Sequence, residues 1–187
     1  MEAIRTRRSV GLSTGDVSRE TIKELIDTAT MAPNHKLTQP WRFTVVKGAA
    51  RERLGEVWAE DACVGIDPAK RQAMYDGEKK KPLRAPVLIV VSTRTDKNPV
   101  TAEEDLIATA AATQNLLLAA HAKGLSAAWK TGKITSSTPV KQFLGLDPSD
   151  RILAVVYLGA QGTEVPGSRE RRVPSTITWF DDVALAV

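Results

Sequence analysis

A chain of 187 residues, 42% of them hydrophobic and 26% charged, is long enough to bury one sizeable core and too balanced to be disordered or fibrous. Its net charge of +4 is spread among acids except at Lys79-Lys80-Lys81 and Arg169-Glu170-Arg171-Arg172, so it suits a phosphorylated small molecule better than a nucleic-acid surface. No apolar run approaches the roughly 20 residues of a membrane span, no signal-peptide core follows Met1, and a single cysteine, Cys63, excludes an intrachain disulfide framework; a cytoplasmic location is expected.

Ala3 to Arg7 reads as a short helical lead that stops at Arg8-Ser9-Val10-Gly11. Ser18 then caps a helix in which Ile22, Leu25, Ile26 and Ala29 recur at helical spacing, with Glu20 in the first turn. Pro33 follows its end. The stretch Ala32 to Phe43 holds two prolines, a histidine, a lysine, a glutamine and an asparagine, and joins that helix to a strand without reading as either. Trp41, Phe43 and Val45 alternate with Arg42, Thr44 and Val46 as a strand, and Lys47-Gly48 turns into a helix carrying Leu54, Val57 and Trp58. Asp67-Pro68 opens a charged helix that fades in a solvated Lys79-Lys80-Lys81 run.

Val87-Leu88-Ile89-Val90-Val91 is continuously apolar and β-branched, the pattern of a central strand buried on both faces. Thr101 and Glu104 form a capping box for a long helix that ends at Gly124. Its expected apolar face comprises Leu106, Ile107, Ala110, Ala111, Gln114, Leu117 and Leu118, and its His121 reads as a structural residue. Leu125 to Trp129 is a further strand, Pro139 starts a short helix ending near Gly145, and Arg151 to Gly159 is the last core strand. From Ala160 the tail reads as an extended arm. The sum is one α+β domain spanning 1–187, with helices around three or four strands.

There is no Gly-x-Gly-x-x-Gly, no phosphate-binding Gly-x-x-x-x-Gly-Lys-Ser/Thr loop and no Gly-x-Ser-x-Gly elbow. Two histidines 86 positions apart, with no ligand-spaced cysteines, give no metal site. Three separated places remain: Arg7-Arg8-Ser9, the Pro33 to Gln39 loop, and Trp129-Lys130-Thr131-Gly132. Each also has a purely structural reading: a charge pair at a helix end, a polar connector, and an aromatic packed at a strand end.

Together and in this order, with Arg84-Ala85-Pro86 before the central strand, these motifs resemble the FMN-dependent nitroreductase family, particularly its short members, over most of the chain. The resemblance implies a nitroreductase-like α+β fold with a central mixed sheet and a C-terminal arm. It implies FMN held by Arg7, Arg8 and Ser9 and bordered by Trp129, Lys130 and Thr131 of one subunit, while His35 with Met31 approaches from the other subunit of a homodimer and Gln39 also binds the cofactor. It implies hydride transfer from NAD(P)H through the flavin to a nitroaromatic or quinone in ping-pong turnover, with no catalytic protein side chain, no nucleic acid and no membrane. A different redox reaction on the same fold, or a basic binding module without activity, stays open. Gly11 stands where many relatives carry a basic residue, and Arg169, Arg171 and Arg172 lie where longer relatives supply phosphate ligands.

Overall fold

Seven consecutive buried residues, Val87–Thr93, dictate the layout, because a strand with no exposed position has to be covered on both faces. The computed structural model describes residues 1–162. The expected arm beyond Gly162, with Arg169, Arg171 and Arg172, lies outside the described residues. In chain order the elements are α1 (Glu2–Thr6), β1 (Ser13–Thr14), α2 (Arg19–Ala29), β2 (Trp41–Lys47), α3 (Ala50–Ala62), α4 (Pro68–Lys79), β3 (Val87–Thr93), α5 (Pro99–Ala122), β4 (Ser126–Lys130), α6 (Thr138–Phe143), β5 (Arg151–Gly159) and β6 (Gln161–Gly162). Short 3₁₀ turns occupy His35–Leu37, Lys81–Arg84 and Lys133–Ser136.

Four strands form one sheet in the order β2-β3-β5-β4, and β1 pairs with β6 in a two-stranded ribbon beside it. The α+β class is the one the sequence implies. The sheet departs from the mixed one expected: every pairing among the described residues is antiparallel. Alternation along the strands sorts the core into two layers. Val87, Ile89, Val91, Ala154, Val156 and Leu158 face α2 and α5, while Leu88, Val90, Ile152, Val155 and Tyr157 face α3 and α6. On the edge strand β2, Val46 is buried, while Val45, 40% exposed, lines a cleft against Ile22 and Ile26 of α2.

The helix starts follow local chemistry. Ser18 accepts the Thr21 N–H, Asp67 accepts the Ala69 N–H with Pro68 at the first helical position, and Ser137 accepts the Val140 N–H. The expected Thr101/Glu104 box does not open α5. Asn98 caps it instead, its Oδ1 accepting the Val100 N–H at 2.9 Å, and Pro99 needs no donor there. At the far end, the Gly124 N–H bonds His121 O and the Leu125 N–H bonds Ala120 O, a Schellman closure with Gly124 at φ +74°. The buried face of α5 also differs from expectation: Asp105, Ala108, Thr109, Ala112, Thr113, Leu116, Leu117 and Ala120 are inside, and Ile107 is 63% exposed.

The lysine run is not a bare solvated stretch. Lys79 pairs with Glu56 at 3.0 Å and Lys81 with Glu78 at 2.6 Å, the latter amine lying 5.8 Å from the Trp58 ring centre; only Lys80 of the three is exposed. These contacts hold α4 against α3, where the helices touch through Gly55. A Cβ there would meet the Lys79 carbonyl oxygen at 2.3 Å, and backbone has little room to yield. Gly55→Ala is therefore expected to destabilise the protein by about 1–3 kcal/mol. Gly77→Ala, in open space on α4, is expected to stabilise it by about 0.5–1 kcal/mol. Urea midpoints of the two variants moving in the same direction would contradict this packing.

Candidate functional site

The chain leaves α1 at Arg7, and the next side chain folds back on the helix it has left. Arg8 Nη1 donates to Arg5 O at 2.8 Å and to Arg7 O at 3.0 Å, satisfying carbonyls that α1 cannot pair internally. The helix-end role is thus real for Arg8, and it also fixes a half-buried guanidinium in place. Arg7 Nη1 donates to Ser9 Oγ at 3.4 Å. Behind them Thr6 gives its hydroxyl proton to Glu2 O at 2.9 Å, so the His121 Nε2–H donates to Thr6 Oγ1 at 2.8 Å and pins α1 to the end of α5. His121 is the structural residue its place in the sequence suggests.

The loop before β2 has a conformation that its composition conceals. Lys36, Leu37 and Gln39 have φ of 50°, 53° and 44°, the left-handed region, although none is glycine. At about 1–2 kcal/mol each, this stores roughly 3–6 kcal/mol that the surroundings must offset. Asn34 Oδ1 accepts the Gln39 N–H at 3.0 Å, closing the loop on itself. Thr38 Oγ1 donates to Asp105 Oδ1 at 2.6 Å, tying it to α5. Held from behind, the loop turns His35, Lys36, Leu37 and Gln39 to the surface, and Met31 is 76% exposed beside the end of α2.

Trp129 and Lys130 end β4, which is an edge strand; both are half-buried, and Trp129 packs on the layer under α5. Thr131 is exposed, and Gly132 follows at φ +121°. A cleft of about 560 Å³ opens beside Thr131, lined also by Thr135, Ser136, Lys141, Arg151, Ile152 and Leu153. Thr135 and Ser136 give their protons to Gly132 O and Lys133 O, and Lys141 bonds Pro148 O, so few of its donors are left for a ligand. Arg84-Ala85-Pro86 serves the scaffold: Ala85 O takes a 2.7 Å bond from Arg51 Nη1, and nearby Tyr157 is pushed up to about 12 by burial, against the opposing effect of Arg84.

The structure keeps the loop far from the other two places, which are themselves separated along β4. Val10, Ser126 and Gly162 converge, since a Cβ on Gly162 would lie 2.8 Å from Ser126 Cβ and 3.0 Å from the Val10 methyls. Val10, which follows Arg7–Ser9, therefore sits at the Ser126 start of β4, and Trp129 is about 10 Å further along the strand. The loop is tied to Asp105, and α1 to His121, at positions about 24 Å apart along α5. Its strand, β2, is also the opposite edge of the sheet from β4, about 14 Å across. In one chain, then, a guanidinium-and-hydroxyl cluster suited to an anion lies toward the Ser126 end of β4 and an aromatic and a lysine at its other end, all remote from the His35 loop. Neither Asp105 nor Thr38 was singled out in the sequence; an acid on an otherwise small and apolar helix face was the available signal.

Among the described residues no cluster of three or more His, Cys, Asp or Glu side chains could hold a metal, and no helix is long and apolar enough to cross a membrane. A four-stranded sheet between helical layers, with charged motifs at two edges, defines the nitroreductase-like class of fold. A nitroreductase-like family protein from Bacillus cereus superposes with a TM-score of 0.82 at 28% identity, covering 92% of this chain and 90% of that one. A nitroreductase with bound FMN from Bacteroides fragilis superposes at 0.74 and 20% identity, covering 96% and 97%. The chain belongs to the nitroreductase family, whose model matches residues 4–160. It is 30% identical over 185 residues to the Escherichia coli (strain K12) protein named "Putative NAD(P)H nitroreductase YdjA", covering 96% of this chain and 98% of that one. A more distant relative, the iodotyrosine deiodinase of Hydra vulgaris, is 24% identical over 204 residues, covering 96% of this chain and 72% of that one.

Proposed function

We propose that this protein is an FMN-dependent oxidoreductase acting as a homodimer, which takes a hydride from NAD(P)H and delivers it to an electron-poor acceptor such as a nitroaromatic or a quinone. Family membership carries the class of reaction. The observation that carries the arrangement is the separation of the site motifs to opposite ends of α5, because a ligand touching both sets needs two chains.

The donor set fits the cofactor. Arg7, Arg8 and Ser9 offer forked cations and a hydroxyl for a phosphate, Lys130 and Thr131 add an amine and a hydroxyl, and the Trp129 ring offers an apolar wall. His35 and Gln39, with Met31, would come from the second copy. When bound, FMN supplies a ring nitrogen, N5, that accepts and returns a hydride. The protein's own residues bind and orient the reactants and exclude water, so no nucleophile or acid–base pair is required. Donor and acceptor would use one face in turn, which makes turnover ping-pong. The α5 face that carries Val100, 64% exposed, and Ile107, with half-buried Leu106, Ala110 and Leu118 and exposed Glu103 and Gln114 among them, is the surface that a second copy would cover. The deiodinase relative favours one second reading, reductive dehalogenation on the same fold.

The flavin-loaded protein is expected to sediment at twice the mass of one chain; a flavin-loaded monomer would rule the dimer out. Arg8→Ala should weaken FMN binding by about 2 kcal/mol or more, while Lys80→Ala, on exposed surface, should change little, with His35→Ala between them. Equal flavin occupancy in the Arg8 and Lys80 variants would sink the anchoring role. Anaerobic NAD(P)H should bleach the yellow protein and a nitroaromatic or quinone restore its colour, with parallel initial-rate lines. Intersecting lines, or a flavin that NAD(P)H leaves oxidised, would overturn the proposed cycle.

A further inference from the structure

We propose that Asp105 is a positioning residue: through the Thr38 hydroxyl, its carboxylate clamps the Asn34 to Gln39 loop in its left-handed conformation and thereby fixes the direction in which His35 and Gln39 are presented. Asp105 is 6% exposed and lies in the buried stripe of α5 between the sheet and the loop, where packing alone would favour an apolar residue. Among the described residues no lysine or arginine forms an ion pair with it. Its side-chain partner is Thr38 Oγ1 at 2.6 Å, a charge-assisted contact of the stronger kind. Of the side-chain bonds that brace the loop, Asn34 Oδ1 to the Gln39 N–H is internal and would survive a swing of the whole loop, and Asn34 Nδ2 to Ala32 O, at 3.4 Å, reaches only two residues back along the chain. The Thr38–Asp105 bond is the one that joins it to a rigid element, the 24-residue helix α5.

The three left-handed residues make that anchorage consequential. Without it, Lys36 and Leu37 are free to relax toward ordinary backbone angles, and exposed His35 loses its fixed bearing. A threonine proton held by a carboxylate is also a directional device, since the acceptor fixes which way Thr38, and with it the peptide leading to Gln39, must face. Asp105 stands behind the loop and would not touch a ligand in front of it.

The binding half of the test rests on the flavin reading above; the conformational half does not. Full-length Thr38→Val and Asp105→Ala are compared with Asp105→Asn, whose amide oxygen still accepts from Thr38. Limited trypsin digestion without flavin reads the loop through the first cut after Lys36, and FMN titration reads the site. Thr38→Val and Asp105→Ala are expected to speed that cut about tenfold and to weaken FMN binding about tenfold. Asp105→Asn should stay within about threefold of the parent in both, a rescue that lost packing would not give. Should Asp105→Ala fail to fold, Thr38→Val, an exposed and volume-conserving change, still decides. An unchanged cutting rate in Thr38→Val overturns the clamp, and faster cutting with unchanged FMN affinity overturns the positioning role. A parent protein that binds no FMN removes the flavin reading itself, and is recognised before any variant is compared.

Discussion

The length of α5 is the constraint on which the candidate site depends. Its C-terminal end holds α1 through His121, its N-terminal third holds the His35 loop through Asp105, and the intervening turns of helix keep the two apart. A helix of this length bends little and does not telescope, so no side-chain rearrangement within a chain closes the gap. Every local feature then acquires a place. The Arg7–Ser9 cluster is built where α1 ends near the Ser126 start of β4, and the loop is built on the β2 edge. Exposed Val100 and Ile107 of the same helix lie at the surface between them.

Strain and anchorage complete that layout. A loop without glycine that takes left-handed angles three times has been held to one shape at a cost, which is the condition for presenting a side chain accurately. On the other edge Arg8 spends hydrogen bonds on the carbonyls of α1 and so loses the freedom a surface arginine ordinarily has. Both edges trade stability or entropy for orientation before any ligand arrives, the preorganisation that favours binding.

Much of this was legible in the sequence, and the rest was hidden for identifiable reasons. Ser18, Asp67-Pro68, the β-branched run of β3 and Gly124 announced their elements, because caps, buried strands and left-handed closures are local chemistry. The start of α5 was misread because two start signals stand three residues apart, and Asn98-Pro99 outcompetes Thr101/Glu104 by satisfying a donor where proline supplies none. The inward face of α5 was misread because alanine and leucine occur on all its sides, leaving periodicity nothing to contrast. Lys79 and Lys81 find Glu56 and Glu78, partners the charge run did not advertise. The motif residues, and their division between two subunits, came from the family resemblance; the distance between them within one chain did not, since it is set by sheet order and helix length.

The buried strand β3 carries a consequence for the chain as it is made. Val87 to Val91 is an uncharged, β-branched segment of the kind that stacks into aggregates when its edges are bare. One edge can be covered early by β2, but the other waits for β5, which begins at Arg151. At about 5–20 residues per second, that leaves it open for roughly 3–12 s of synthesis. The segment is bracketed by residues that resist such stacking: Pro82, Arg84 and Pro86 on one side, Arg94, Asp96, Lys97 and Pro99 on the other. The Arg-Ala-Pro motif thus contributes an arginine and a proline to the flank that shields the nascent strand.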